Sequence, residues 1–372
     1  MKEKLCESVE KLMPQLIRGI KTVCNIDSRK SEPSENAPFG QGCVDCLNKA
    51  LELAKDLGFK VENVGNQIGI ASYGESDSYI ACVGHLDVVD INGTWKTDPF
   101  TCTEIDGTLY ARGVLDNKGP IFSCLYALKA LVDSNYDFPM QVQIIFGTDE
   151  ESGMADMKWY FKDHPYPLMG FTPDCKFPVV YAERGRAVFK VSVNTEYTDE
   201  FYAWMNQYIL NHTDLALSLG VDYSDEEFGK NQVRKVELFN EANAMGITLV
   251  CSYPASYTLD TLTNDLKKHL CEHANLTLES NIDPVYFAKD TTLVKCLEAA
   301  YEEIMNEDGS AVTTTGGTYA KVVKNIVPFG PSFKGQKGIG HMPNEWMNIS
   351  DIEKCTKIYA LGLYKLLEST KG

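Results

Sequence analysis

No apolar run in this 372-residue sequence is long enough to span a bilayer. The opening residues, Met1-Lys2-Glu3-Lys4-Leu5-Cys6, are charged and amphipathic and lack the apolar core of a signal peptide. Basic residues are few: 35 Lys and Arg stand against 52 Asp and Glu, a net charge of -17. Binding to nucleic acid or to an anionic membrane calls for a basic patch, so neither class of partner is expected. The acidic balance is compatible with a site for cations, although solubility alone also accounts for it. Neither an internal repeat nor a low-complexity tract is present, which sets repeat architectures aside. Paired cysteines are missing too. Twelve are scattered along the chain, only Cys43 and Cys46 form a CxxC pair, and no second pair follows to complete a structural zinc site. Free thiols in a reducing compartment are the simple reading, so the expected location is cytoplasmic.

What is present is an ordinary globular composition, 44% apolar and 23% charged, in a chain long enough for two domains. Helical spacing marks residues 4–23, where Leu5, Val9, Leu12, Leu16 and Ile20 form one stripe, and Val44 to Leu57, which ends at Gly58. Short apolar runs at Tyr79–Gly84 and Met140–Phe146 read as buried strands, with an apolar helix over 120–132 between them. This alternation indicates an α/β layered domain. The next hundred residues differ, with weak strands at Ala187–Val193 and Gly246–Cys251, amphipathic helices at Glu200–Leu210 and Leu259–His269, and a charged stretch from Asp222 to Lys235. The first style returns after about residue 285 with a helix from Thr292 to Met305, a Gly-rich segment from Thr315 to Gly340 and a helix from Asp351 to Leu367. The expected organisation is a discontinuous α/β domain, 1–186 and 285–372, interrupted by a smaller α+β domain, 187–284.

Candidate chemistry gathers after strands, where ligands of open α/β sheets collect. Gly84-His85-Leu86-Asp87 follows the first buried run, and in an extended segment His85 and Asp87 point the same way. A carboxylate there can fix the tautomer of a metal-bound imidazole, or the pair merely tidies a strand end. Asp149-Glu150-Glu151 follows the second run; taken alone, it reads as a solvated, acid-rich helix N-terminus. Asp116 precedes an apolar helix and suits an N-cap; Asp174 precedes the run from Phe177 to Tyr181; His341 sits in a glycine-rich loop. Two histidines and three or four carboxylates suit zinc or a similar divalent ion.

The order His85-x-Asp87, Asp116-Asn117, Glu150-Glu151, Asp174, His341 resembles that of the co-catalytic zinc peptidases, the group of carnosinase, aminoacylase, succinyl-diaminopimelate desuccinylase and the glutamate carboxypeptidases. Within that group the sequence is most similar to the peptidase V-type dipeptidases of Gram-positive bacteria, through Pro38-Phe39-Gly40, Asp98-Pro99-Phe100, Ala111-Arg112-Gly113, Gly147-Thr148-Asp149-Glu150-Glu151-Ser152-Gly153, Gly170-Phe171-Thr172-Pro173-Asp174 and Gly316-Gly317-Thr318-Tyr319-Ala320. The similarity covers about 1–186 and 285–372. It implies a zinc-peptidase-like catalytic domain, a mixed sheet between helices, carrying a shortened α+β lid. It further implies one metal ion on His85, Asp116 and Asp174 and a second on Asp116, Glu151 and His341, with Asp116 bridging and the Asp116–Asn117 peptide cis. Zinc is the first expectation for both ions, with manganese and cobalt also suited. The resemblance gives Asp87 the orientation of His85, and gives Glu150 the role of general base toward a metal-bridged water. Gly316, Gly317 and Thr318 take the role of a loop approaching the substrate, a small peptide or N-acyl amino acid.

The inserted segment departs from the family pattern. The lid usually opens with a Ser-Gly-Lys-x-x-His-Ala-Ser-x-Pro-x-x-Gly segment whose histidine stabilises the oxyanion; here Phe189 to Glu196 runs straight toward a helix. The usual Arg-Tyr-Pro is Ser252-Tyr253-Pro254. Loss of one oxyanion donor costs about a hundred- to thousandfold in rate. Asn194, His212 and Arg234 are candidate substitutes, while His269 and His273, at i and i+4, are more simply incidental surface residues. Three functions therefore stay open: a dipeptidase or related N-acyl amino acid hydrolase, a desuccinylase- or aminoacylase-type amidase, and a metal-binding homologue with weak or lost catalysis. A homodimer also stays open, since lids without extra lobes mediate dimers in relatives.

Overall fold

The strand Tyr79–His85 is buried at every position, as expected of a strand covered on both faces. It lies inside a six-stranded mixed sheet of the computed structural model, which describes residues 1–371. In chain order the strands are β1 (Lys60–Val64), β2 (Ile68–Tyr73), β3 (Tyr79–His85), β4 (Gln141–Gly147), β5 (Met169–Thr172) and β6 (Ile326–Pro328), and in space they run β1-β2-β4-β3-β5-β6. β2 is antiparallel to both its neighbours, whereas β4, β3, β5 and β6 are parallel. Parallel register brings the ends of β3 and β4 level, with His85 paired to Gly147. The segments leaving β3, β4 and β5 therefore emerge at one edge of the sheet.

Five long helices accompany this sheet: α1 (Lys2–Cys24), α2 (Gln41–Asp56), α3 (Lys118–Asp133), α4 (Thr292–Met305) and α5 (Ile349–Glu368). α1 buries the stripe Leu5, Val9, Leu16 and Ile20, with Met13 beside it, while Leu12 is half-buried. α3 is buried on nearly all sides, as its apolar sequence demands, because it packs against β3, α1 and α5 at once. α2 packs on β1 and β2. Among the described residues no helix is long and apolar enough to cross a membrane.

The chain divides into two compact units, one made of Met1–Tyr181, Phe287–Val312 and Thr318–Gly372, the other of Ala182–Tyr286 with Thr313–Gly317. The second unit thus starts a few residues before the expected insert and also takes in a short segment from far along the chain. Its frame is a four-stranded antiparallel sheet in the order Gln232–Glu241, Ala244–Tyr253, Gly185–Asn194, Asn275–Ile282. Phe189, Val191, Ile247 and Leu249 from the two central strands pack with Phe201, Trp204, Leu262 and Leu266 from the helices Thr198–Met205 and Leu259–Lys267. The sequence pattern suggests only the central strands. The edge strand Gln232–Glu241 falls partly in the charged stretch and is mostly exposed, so no inward apolar alternation announces it.

Candidate active site

Three loops leaving the sheet carry the candidate ligands. His85 is the last residue of β3, Glu150 and Glu151 follow β4, and Asp174 follows β5. Asp116 comes from the turn before α3, where the Asp116–Asn117 peptide is cis. The N-cap of α3 is Asn117, not Asp116, and its side chain makes no capping bond. Instead Asn117 ties two of the loops together: its Oδ1 accepts from the His85 N–H at 3.3 Å and its Nδ2 donates to the Pro173 carbonyl at 2.6 Å. Gly84 makes this approach feasible, since a Cβ there would overlap the Asn117 amide and Ile121.

The ligand atoms form two triads that share one residue, His85–Asp116–Asp174 and Asp116–Glu151–His341. His85 Nε2 lies 3.1 Å from Asp116 Oδ1 and 3.6 Å from Asp174 Oδ2. His341 Nε2 lies 3.0 Å from Asp116 Oδ2 and 2.9 Å from Glu151 Oε1. Ligand atoms bound at about 2 Å around a tetrahedral ion stand roughly 3.3 Å apart. The observed separations bracket that value, and the imidazole–carboxylate set fits a divalent ion in each triad.

Behind the ligands lies a network of hydrogen-bonded polar groups. The Asp87 carbonyl lies 2.9 Å from His85 Nδ1; a carbonyl only accepts, so Nδ1 carries a proton and Nε2 is the ring nitrogen turned toward the triad. The Asp87 carboxylate is further away, 3.5 Å from Nδ1, and accepts the N–H groups of Glu150 and Glu151. Tyr319 stands edge-on to the His85 ring and donates to Asp156 Oδ2 at 2.5 Å. The same oxygen accepts the N–H groups of Thr148 and Asp149, at 2.7 and 3.1 Å. Glu345 Oε1 accepts the N–H groups of Leu115 and Asp116, at 2.9 and 3.0 Å, while its Oε2 meets Arg112 at 2.8 Å.

The acidic run after β4 is buried, unlike a solvated helix N-terminus: Asp149 is 1% and Glu150 9% exposed. Asp149 is neutralised by Lys30 at 2.7 Å and accepts the Ala155 N–H. Burial pushes the Glu150 carboxyl well above the usual range, with the charges of Glu151, Asp116 and Asp87 adding, against the opposing pull of His85. Burial likewise raises Asp174, with Asp116 adding, and raises Glu151 against the hydrogen bond from His341. Asp116 is the exception. Burial would raise it, but hydrogen bonds from His341 and His85 hold it well below the ordinary carboxylate range. Hydrogen bonds to Asp116 and Glu151 push His341 up to about 10. Four carboxylates with two imidazoles in one small space call for added cations.

Of the loop expected to approach substrate, Thr318 is buried in the first unit and caps the turn Tyr319–Lys321, while Gly316 and Gly317 belong to the second unit. The candidate lid substitutes all have partners inside the second unit. Asn194 caps the turn after its strand, His212 Nε2 bonds the Gln207 carbonyl, and Arg234 donates to the Thr315 carbonyl and Gln232. Ser252 lies opposite Arg186 on one neighbouring strand and Gln232 on the other. His269 and His273 do not pair with each other: the first faces the Asp265 carbonyl, the second Glu200 and the ring of Tyr197.

The sequence profile of Peptidase family M20/M25/M40 matches residues 81–365. The Bacillus subtilis (strain 168) protein described as "Putative dipeptidase YtjP" is 26% identical, the match covering 94% of this chain and 97% of that protein. Among solved structures, the di-peptidase Dug1p of Saccharomyces cerevisiae superposes with a TM-score of 0.73 at 15% identity, covering 100% of this chain and 99% of the other. The Bacillus subtilis YXEP protein, titled a dinuclear metal binding peptidase from M20 family, gives a TM-score of 0.65 at 12% identity, covering 96% of this chain and 99% of the other.

Proposed function

The chain belongs to Peptidase family M20/M25/M40, and from that premise we propose that it hydrolyses the amide bond of dipeptides or related N-acyl amino acids with the aid of two divalent ions. The observation that carries this reading is the placement of Asp116, whose Oδ1 faces His85 at 3.1 Å and whose Oδ2 faces His341 at 3.0 Å. One oxygen offered to each of two ligand sets suits a carboxylate that would help to hold two divalent ions. Imidazole with carboxylate suits zinc first, and also manganese and cobalt. The relatives named as dipeptidases support the choice of substrate.

When bound to these triads, divalent ions would supply Lewis acidity and make water a better acid. The remaining steps belong to the chain itself. Glu150 lies outside both triads. Its carboxylate takes a proton from the attacking water and passes it to the leaving nitrogen. Burial among like charges raises this carboxyl, and a raised carboxylate is the stronger base toward water. Asp87 fixes the backbone from which Glu150 projects.

Two substitutions separate base from ligand. Glu150→Gln keeps shape but cannot take the proton, so turnover should fall by about a hundred- to ten-thousandfold with two ions still bound. Glu151→Ala should lose metal. The assay is metal stoichiometry with turnover on a panel of dipeptides, N-acetyl and N-succinyl amino acids, each with zinc, cobalt and manganese. Wild-type turnover by Glu150→Gln on the best substrate removes Glu150 from the mechanism. Turnover confined to acetylated or succinylated amino acids replaces dipeptides as the substrate.

A further inference from the structure

Two cavities flank the ligand cluster, both within the first unit. One of about 390 Å³ lies on the Glu151–His341 side and contains Lys30. The other, of about 200 Å³, lies on the Asp116–Asp174 side and is walled by Ser332, Lys337 and the Gly338-Ile339-Gly340 turn. Their cations are not equivalent. Lys30 is committed to Asp149 at 2.7 Å. Lys337 is exposed and makes no ion pair or hydrogen bond among the described residues. It is the only cationic side chain lining its cavity.

Lys337 also borders a larger cavity of about 660 Å³, floored by Phe177, Phe333 and Tyr301. The acids there are engaged locally: Tyr301 donates to Glu307 at 3.1 Å, and Ser310 donates to Asp308 through its N–H and its hydroxyl, at 2.9 and 2.6 Å. A dipeptide whose amide lies at the ligand cluster extends its free carboxylate past the residues that would hold the ions and into the adjoining cavities. A cationic side chain with no other partner there offers that carboxylate a charge-assisted contact. The leaving residue carries its carboxylate and its side chain on the same carbon, so the two diverge from one point. An unpaired lysine bordering both the polar cavity and the aromatic one matches that divergence.

We propose that Lys337 receives the free carboxylate of the leaving amino acid and that the cavity floored by Phe177 and Phe333 takes that residue's apolar side chain, making Lys337 a specificity-determining residue for dipeptides with an apolar or aromatic C-terminal residue. This rests on the dipeptide reading of the site given above. A charge-assisted contact of this kind changes affinity by about tenfold.

The experiment compares zinc-loaded wild type with Lys337→Ala, Lys337→Arg and Lys337→Glu on Ala-Phe, Ala-Phe amide and Ala-Gly. Lys337→Ala should raise KM for Ala-Phe about tenfold and leave the amide unchanged; Lys337→Glu should be worse, and Lys337→Arg should restore most of the loss. Equal loss on acid and amide, or no loss on either, overturns the role of Lys337. A wild-type preference for Ala-Gly over Ala-Phe overturns the side-chain pocket. Calorimetric binding of phenylalanine against phenylalaninamide needs no turnover. If phenylalanine binds, and Lys337→Ala weakens it while no dipeptide is hydrolysed, the site stands and the dipeptidase reading falls. If phenylalanine does not bind wild type, or binds Lys337→Ala equally, the site falls.

Discussion

Asp87 holds Glu150 by the backbone: its Oδ1 accepts the Glu150 N–H at 3.1 Å, and its Oδ2 accepts the neighbouring Glu151 N–H at 3.0 Å. Its carbonyl meanwhile lies against His85 Nδ1 at 2.9 Å. One residue thus contacts the ring of the first triad's histidine and the backbone of both the second triad's Glu151 and the proposed base Glu150. The register of β3 and β4 makes this reach short, because His85 is paired with Gly147.

Replacing Asp87 should therefore disturb metal and chemistry together. Asp87→Ala removes both carboxylate acceptors but keeps the carbonyl, so His85 retains its tautomer while the Glu150–Glu151 backbone loses its anchor. Loss of such outer partners costs about 10–100-fold in metal affinity or activity. Metal titration followed by turnover at saturating zinc is the measurement. Turnover still depressed when both ions are bound indicates misplacement of Glu150; full recovery confines Asp87 to metal retention.

Glu345 offers a test of stability. Its carboxylate is buried, accepts two N–H groups beside the bridging ligand and meets the buried Arg112 at 2.8 Å. Glu345→Ala leaves an uncompensated guanidinium and two orphaned donors. Breaking a buried pair from one side costs about 3–5 kcal/mol. Chemical denaturation of the metal-free protein should show a loss of that size. A loss below about 1 kcal/mol, the range of exposed pairs, shows that solvent already reaches the pair.

The first unit was largely legible in the sequence because buried strands are short apolar runs and its motifs sit at strand ends. α2 starts a few residues earlier than its apolar periodicity implies, since a helix's first turn need not be apolar. What stayed hidden were groups whose importance is purely spatial. Nothing in the sequence distinguishes Asp156, which collects the Thr148 and Asp149 N–H groups and the Tyr319 hydroxyl, from a surface acid of a helix. Gly147 hints at it only afterwards, since a Cβ there would overlap that hydroxyl and that carboxylate. The edge strands of the second unit escaped for the opposite reason: they bury so little that Gln232–Glu241 and Asn275–Ile282 carry no strand pattern.

The charge pattern of the second triad sets a sign for metal binding against pH. Asp116 and Glu151 push His341 up to about 10, so in the metal-free chain the imidazole keeps its proton across the neutral range. A metal ligand must be neutral imidazole, so ion binding at pH 7 expels that proton. The raised carboxyls of Glu151 and Asp174 act in the same direction at lower pH. Affinity should therefore rise with pH below about 10, by up to tenfold per unit for each proton displaced, and fall on acidification. Calorimetry of zinc binding in buffers of different ionisation enthalpy counts the protons. The expected result is net release of about one proton or more at pH 7, reduced by about one in His341→Ala. Net uptake, or the same release from His341→Ala, means that His341 does not exchange its proton for an ion, and the second triad then loses one of its three donors.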